Sequence, residues 1–554
     1  MGSTNSLSLF SAIVLTSALA GCGGSSGSSG TSDEGNPTTE TPTPVVQMES
    51  VSGQIRDYFT GEPVAGALVT LQATNLEEPV EAVSGPEGRF TLDAEEGADR
   101  ATISSRATGY TTNSMLTSTT EGSDNDNLEL SLVPAQLATS FSAETAATLN
   151  LENSLSVAEV PANAFRSSNG ALYNGTVNTQ ISALDPSSDP TIIPGNYDFV
   201  DADGQMGLST SYGAVTFDFT DENGERLQLS DGSPATIRIP LASGLNPFDV
   251  PPSVPLAWFD EESGQWIEES MATLVDNSYY EGQVTHFTTW NAADTYTPVE
   301  VSGRVVDRDG NPVAGASVRA QGYDYIGMNT TVTNADGTFS VPVREDSQVL
   351  ISARLDATSN TREITVGAED FTLEQDIVLS PSAVSITLTW GQNPSDLDSH
   401  LLGPNSEAGT SEFHVAFWDQ VVPVGDTVIE LDVDDVTSFG PEVVTIPDFP
   451  FVGRYRYVVH LFAGTGTIEN SPARVEFSIN GETRIFSPQN AQGSVSDWWA
   501  VADIIVDETG DVRLEAVQEW SEQGEEMVFG FSLNNRSNPA VEAAKRKYYS
   551  ENVR

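Results

Sequence analysis

Cysteine is almost absent from this chain. Its 554 residues contain one, Cys22, so no disulfide can close within it, and its folded parts must be held by apolar burial or by bound cations. Lysine is nearly as scarce: the two present, Lys545 and Lys547, fall in the last ten residues, and the body carries its positive charge on arginine alone. With 23 basic residues against 80 acidic ones and a formal charge of -57, the chain repels polyanions, which argues against nucleic acid and anionic lipid surfaces as partners. Such an acidic surface suits a salty or divalent-rich medium and equally an ordinary soluble secreted protein. Long apolar runs are missing apart from one near the start. Outside the Gly/Ser-rich stretch at residues 23–30, where GGSSG fits by composition alone, so are GxSxG, HExxH and phosphate-cradling glycine loops. A carboxylate pair of the glycosidase kind could be picked out anywhere among so many acids, and therefore signifies nothing.

What is present begins with that apolar run, LSLFSAIVLTSAL at residues 7–19. It has signal-peptide length and is too short for a permanent helix across a bilayer core of ~30 Å. Leu19-Ala20-Gly21-Cys22 follows and resembles the lipobox of bacterial lipoproteins, although residues 1–6 lack the usual basic charge. The resemblance implies acylation of Cys22, a membrane as partner through that lipid, and, with Gly23 after the cysteine, sorting to the outer membrane on its periplasmic or cell-surface face. Residues 23–44, Gly/Ser-rich and then Thr/Pro-rich, read as a disordered tether.

A chain this long exceeds one hydrophobic core and implies three to five domains. Two stretches repeat each other: VSGQIRDYFTGEPVAGALVTL matches VSGRVVDRDGNPVAGASVRA, GPEGRFTL matches NADGTFSV, and LELSLVP matches DIVLSP. Apolar residues alternate between turn glycines, as in half-buried strands. The pattern resembles the carboxypeptidase regulatory-like, transthyretin-like β-sandwich. No carboxypeptidase catalytic domain accompanies it, so the resemblance implies a scaffold without peptidase activity. Asp309-Gly310 and Asp336-Gly337 read as ordinary hairpin turns.

Between the repeats, GALYNGTVNTQISALDP, YGAVTFDFTDENGERLQL and PLAWFDEESGQWIEES resemble a module of cartilage intermediate layer protein and of bacterial surface lipoproteins. Trp258, Trp266 and Trp290 read as core aromatics rather than a sugar-stacking platform, and His286 as a packed or surface imidazole.

The last module holds the chemically suggestive stretch WGQNPSDLDSHLLGP at residues 390–404. Val384, Ile386 and Leu388 alternate with polar residues as a strand with one buried face, and Asn393-Pro394-Ser395 reads as a turn that puts Asp396 and Asp398 at a strand end. In VIELDVDDVTSFGPE the alternation turns Ile429, Leu431 and Val433 inward and Glu430, Asp432 and Asp434 outward, with Asp435 starting a turn. GRYRYVVHLF puts Tyr455, Tyr457, Val459 and Leu461 on one face and Arg454, Arg456, Val458 and His460 on the other. LTWGQNPSDLDSHLLGP, DVDDVTSFGPE, RYRYVVHLF and DWWAVADIIVDETG resemble an uncharacterised β domain of bacterial envelope proteins, from which no activity follows.

Two acidic clusters that meet across a sandwich rim could hold calcium, which takes six to eight oxygens, typically from carboxylates. The candidate ligands are Asp396, Asp398, Asp432, Asp434 and Asp435. The competing account has Asp396 capping a turn, Asp398 paired with Arg454 or Arg456, and the acidic run as a solvated strand end. His400 and His460 mark a polar site, and with His414 they would serve zinc only if three or four ligands converged.

The sequence therefore predicts an all-β, multidomain string of β-sandwich modules behind a signal peptide and flexible linker. The segments are 1–21 (lipoprotein signal), 22–48 (tether), 49–134 (regulatory-like module), 135–297 (middle module), 298–381 (second regulatory-like module), 382–535 (last β domain) and 536–554 (helical tail). The expected role is non-enzymatic: a lipid-anchored envelope protein whose modules present a terminal binding domain for adhesion or envelope assembly, with envelope proteins or polysaccharide as partners. A calcium-dependent carbohydrate or matrix binder and a hydrolase sited in the last module are the alternatives.

Overall fold

The structure is a computed structural model that describes residues 48–520 with breaks at 77, 99, 121–124, 126–127, 152–155, 356, 381–383, 408–410 and 480–481. The leader, Cys22, the tether up to residue 47 and the expected helical tail at 536–554 lie outside the described residues. The architecture is all-β: among the described residues there is no α-helix, and two single 3-10 turns, Pro190–Ile192 and Pro488–Asn490, are the helical pieces.

The repeated sequences fold alike. In the first, Met48–Asp57 lies between Arg89–Glu95 and Leu128–Leu132, and faces a four-stranded sheet whose centre is Leu68–Gln72 and Ala101–Arg106. In the second, Pro298–Asp307 lies between Thr338–Arg344 and the short strands Phe371–Thr372 and Ile377–Leu379, opposite a sheet centred on Ser317–Gly322 and Gln348–Arg354. Alternation explains the sandwich: Val51 and Ile55 point into one core, Val301 and Val305 into the other. The matched glycines Gly88 and Gly337 share φ of +69° and +76°, and a Cβ there would stand 2.4 Å from the Ile55 carbonyl oxygen and 2.5 Å from that of Val305. Only glycine fits that turn.

The middle module is built on an eleven-stranded sheet, in which the 15-residue strand Met206–Thr220 is the longest and pairs with three others. Trp266 and Trp290 are fully buried, and Trp258 packs half-buried beside Trp290's core. His286 Nε2 donates to the Glu269 carboxylate at 3.0 Å and its ring lies edge-on to Trp258, a packed imidazole.

The last module is a two-layer sandwich. Its six-stranded sheet runs Val421–Val424, Thr427–Val433, Glu442–Ile446, Val384–Thr389, Arg474–Ile479 and Glu482–Phe486. Its five-stranded sheet runs Glu412–Val415, Asp396–Pro404, Gly453–Ala463, Trp498–Val506 and Val512–Trp520. Ile386, Leu388, Leu397, Leu401, Tyr455, Tyr457 and Trp499 close the core between them. The expected inward face of Gly453–Ala463 forms as predicted for Tyr455, Tyr457 and Val459. Val458, on the opposite face, is buried as well, in a small cluster with Leu402 and Ala500.

Side chains from all four modules converge on one carboxylate. Asp189 of the middle module accepts from Tyr58 Oη of the first module at 3.0 Å and from its own Thr191 N and Oγ1 at 2.9 and 2.7 Å. Arg474 Nη1 of the last module lies 3.6 Å from it and Arg319 Nη2 of the second repeat 3.8 Å. Arg474 also donates to the Tyr58 carbonyl at 3.1 Å and covers the Tyr58 ring at 4.9 Å. The described residues thus form one compact unit rather than beads free to turn independently.

Candidate metal centre

Asp396–Pro404 is buried along its whole length. Period-two geometry gives Leu397 and Leu401 to the core and leaves Asp398 and His400 on the opposite face. The strand's pairing with Gly453–Ala463 sets Asp398 opposite His460, and pairing with Trp498–Val506 sets His460 opposite Trp498. The result is a cross-strand row, Asp398, His460, Trp498, on one face. His460 Nδ1 stands 3.6 Å from Asp398 Oδ2, and its ring stacks on Trp498 at 3.8 Å and 19°. His414, opposite Leu402, is the diagonal neighbour of His400, and His400 Nδ1 meets His414 Nε2 at 2.9 Å.

Among the described residues, the edge strand Glu412–Val415 pairs with Leu401–Pro404 alone. In the first half of Asp396–Pro404, which pairs with Gly453–Ala463 but lies beyond the reach of Glu412–Val415, the buried Ser399 N–H donates to the Glu442 carboxylate. Glu442 opens the Glu442–Ile446 strand of the other sheet, is 0% exposed, and shares a side-chain hydrogen bond with the Asp434 carboxyl. It thereby joins the two sheets at their rim. Asp398, Asp434 and Glu442 each present an oxygen within 4.8 Å of the others, and Asp398, His400 and His460 present ligand atoms within the same limit. Oxygens on opposite sides of one calcium ion stand about 5 Å apart, so the three carboxylates have the span of a single hard-cation shell.

Charge sharpens the case. Asp396 is 5% exposed and its Oδ1 has no hydrogen-bond partner among the described residues. Burial pushes its carboxyl up to about 8, and the charges that add to the push, Asp398, Asp434 and Asp435, are all carboxylates. Burial also drives Glu442 well above the usual carboxylate range, helped by Asp398 and Asp434. Two full charges at this separation repel by about 3 kcal/mol even at an effective dielectric of ~20. The pocket needs positive charge, from protons or from a cation.

The other predicted ligands divide. Asp434 joins the centre and also accepts from Gln420 Nε2 at 2.7 Å. Asp435 lies at its margin, accepting from Thr437 N at 2.6 Å and from Tyr323 Oη of the second repeat at 3.3 Å. Asp432 turns away from it: Asn360 Nδ2 and Thr361 N of the second repeat donate at 3.0 and 2.9 Å, and Thr445 Oγ1 at 2.7 Å. Burial raises its carboxyl to about 7 against those bonds. The shared outward face expected for Asp432 and Asp434 is broken by a bulge, since Leu431 pairs with Val444 while Val433 pairs with Val443. Arg454 and Arg456, the alternative partners for Asp398, reach Asp503 at 3.5 and 2.6 Å. Sequence reasoning missed Glu442. Its signal was there, as the last residue of the quoted DVDDVTSFGPE, but nothing in the one-dimensional spacing brings the two sheets together.

Residues 50–133 and 300–380 match the model of the carboxypeptidase regulatory-like domain. Those two modules carry a known domain type; the match covers less than half of the chain and leaves the metal centre outside it. No curated protein matches the chain. Among solved structures, similarity extends to the Bacillus anthracis TIE protein, with 10% identity over 60% of this chain and 50% of that one at a TM-score of 0.13. The chain thus spans half the length of that protein. A DUF3823 family protein from Parabacteroides merdae shows 11% identity over 35% of this chain and 97% of its own, at a TM-score of 0.13. BcpA, the major pilin subunit of Bacillus cereus, shows 12% identity over 61% of this chain and 100% of its own, at a TM-score of 0.14.

Proposed function

We propose that this is a non-enzymatic, lipid-anchored protein of the bacterial cell envelope whose β modules form a support for a cation-dependent binding domain at the carboxy-terminal end. Cys22 carries the lipid and places the protein at the outer membrane. The regulatory-like modules act as structural units, and envelope proteins or polysaccharide are the partners in adhesion or envelope assembly. The convergence of Asp398, Asp434 and Glu442, with Asp398 and Glu442 buried, carries the cation part of this reading. Calcium is the ion that the all-oxygen set suits. Asp396 and Asp435 stand near enough to act on one another's charge and complete the acidic surround.

Calorimetric titration of the full chain with calcium tests the domain's role: binding heat together with a raised melting temperature is expected, and both should vanish in a Glu442→Gln, Asp434→Asn double variant. Palmitate labelling in cells, with and without globomycin, tests the anchor. An unlabelled protein would remove Cys22 from the account.

A further inference from the structure

Asp398 belongs to a second group of ligand atoms besides the three carboxylates, one that includes two imidazoles. Asp398, His400 and His460 bring one carboxylate oxygen and two ring nitrogens within 4.8 Å of one another, and imidazole nitrogen is a ligand for zinc-class ions rather than for calcium. The register holds this trio in place. Asp398 and His400 are two residues apart on one strand, and His460 faces Asp398 from the next. Stacking on Trp498 at 3.8 Å holds the His460 ring, while His400 is clasped by His414 at 2.9 Å and lies against Trp418 and Trp498 at 5.4 and 5.1 Å between ring centroids. When His400 Nδ1 donates to His414 Nε2, the His400 lone pair sits on Nε2, the nitrogen that a metal takes. An outer hydrogen bond of this kind is the usual support of a ligating histidine. His460 is 22% exposed at its side chain, which leaves a way in from solvent, and His400 is fully buried.

We propose that Asp398, His400 and His460 form a binding site for a zinc-class divalent ion, beside the carboxylate pocket and sharing Asp398 with it, with His414 as a positioning residue that acts through His400. The carboxylate pocket belongs to the proposed function above; the imidazole site does not depend on calcium binding there. Two donor sets of different softness side by side would sort ions by class.

The test is titration of the full chain, carrying Cys22→Ser so that no thiol competes, with zinc alone and separately with cobalt(II) alone. One zinc per chain is expected, with cobalt giving the visible d–d absorption of a nitrogen-containing, low-coordinate site. His400→Gln and His460→Gln should each lower zinc affinity at least a hundredfold and abolish the cobalt spectrum. His414→Gln, which removes only the clasp, should cost ten- to a hundredfold. His286→Gln, in the middle module, should change nothing. Circular dichroism and melting of each variant show that it is folded; His414→Gln keeps the proposal testable if a ligand variant is not. Zinc affinity unchanged in the folded His400→Gln, His460→Gln double variant would overturn the site, as would the absence of zinc binding in the parent. Calcium heat measured in parallel reports on the carboxylate pocket separately. Its failure alongside His-dependent zinc binding would leave this proposal standing.

Discussion

Asp189 and Asp398 are both buried aspartates, at 7% and 2% exposure, and they are solved in opposite ways. Around Asp189 the chain supplies its own positive charge. Burial pulls that carboxyl up, but Arg474, Arg319 and the two Thr191 bonds outweigh burial and hold it below the usual carboxylate range. Around Asp398, apart from the His460 imidazole at 3.6 Å, the chain supplies more negative charge, from Glu442, Asp434 and Asp396, and burial among these neighbours raises the carboxyls of Asp396 and Glu442. A protein with 23 basic residues spent scarce arginine on the joint between its modules and left the rim of its last module acidic. The first site is finished within the fold. The second has the form of a site completed from outside.

The comparison can be broken most severely at Arg474. Replacement by alanine leaves Asp189 buried with only the more distant Arg319 guanidinium, and removing one partner of a buried pair costs about 3–5 kcal/mol. Arg474→Ala should therefore lower the unfolding midpoint in urea markedly, whereas an unchanged midpoint would show that the joint contributes nothing. A middle case is Asp432, whose charge is met by hydrogen bonds. Asp432→Ala strands donors from Asn360, Thr361 and Thr445 and should cost about 1–3 kcal/mol, read from the same denaturation curves, without reducing calcium heat.

Acidity distinguishes the two sites by sign. The carboxyls of Asp396 and Glu442 are raised on folding, so in chelated protein their contribution to stability is complete below the unfolded value of ~4 and is lost as pH rises, for Asp396 through about 8. Asp189 is lowered, so its contribution is present above ~4 and is lost as pH falls through its folded value. Melting of the chelated chain should accordingly weaken from pH 5 to 8, and calcium should reverse that loss at the upper end. A chelated chain that gains stability over this range would contradict the assignment. The smallest effect expected is at the margin: Tyr323→Phe removes one 3.3 Å hydrogen bond to Asp435 and should shift calcium affinity only a few-fold.

Much of this was legible in the chain. Alternation in Val384–Thr389 marked the strand whose Val384, Ile386 and Leu388 are buried, and the spacing of acids picked out Asp398 and Asp434. Local pattern stops where long-range pairing begins. Tyr58 and Arg474 are 416 residues apart, so no periodicity announces their meeting, and the modules read as a string although they share a buried knot. Glu442 was hidden for the same reason, because it reaches the site from the opposite sheet. The bulge after Leu431 separated Asp432 from Asp434, an extra residue that alternation cannot count.

The most direct measurement is a crystal structure of the chain grown with calcium, with the ion identified by its anomalous scattering. The account predicts one calcium held by carboxylate oxygens of Asp398, Asp434 and Glu442 at ~2.3–2.6 Å. Calcium bound only elsewhere on the acidic surface, with these three carboxyls hydrogen-bonded to one another through protons, would contradict it.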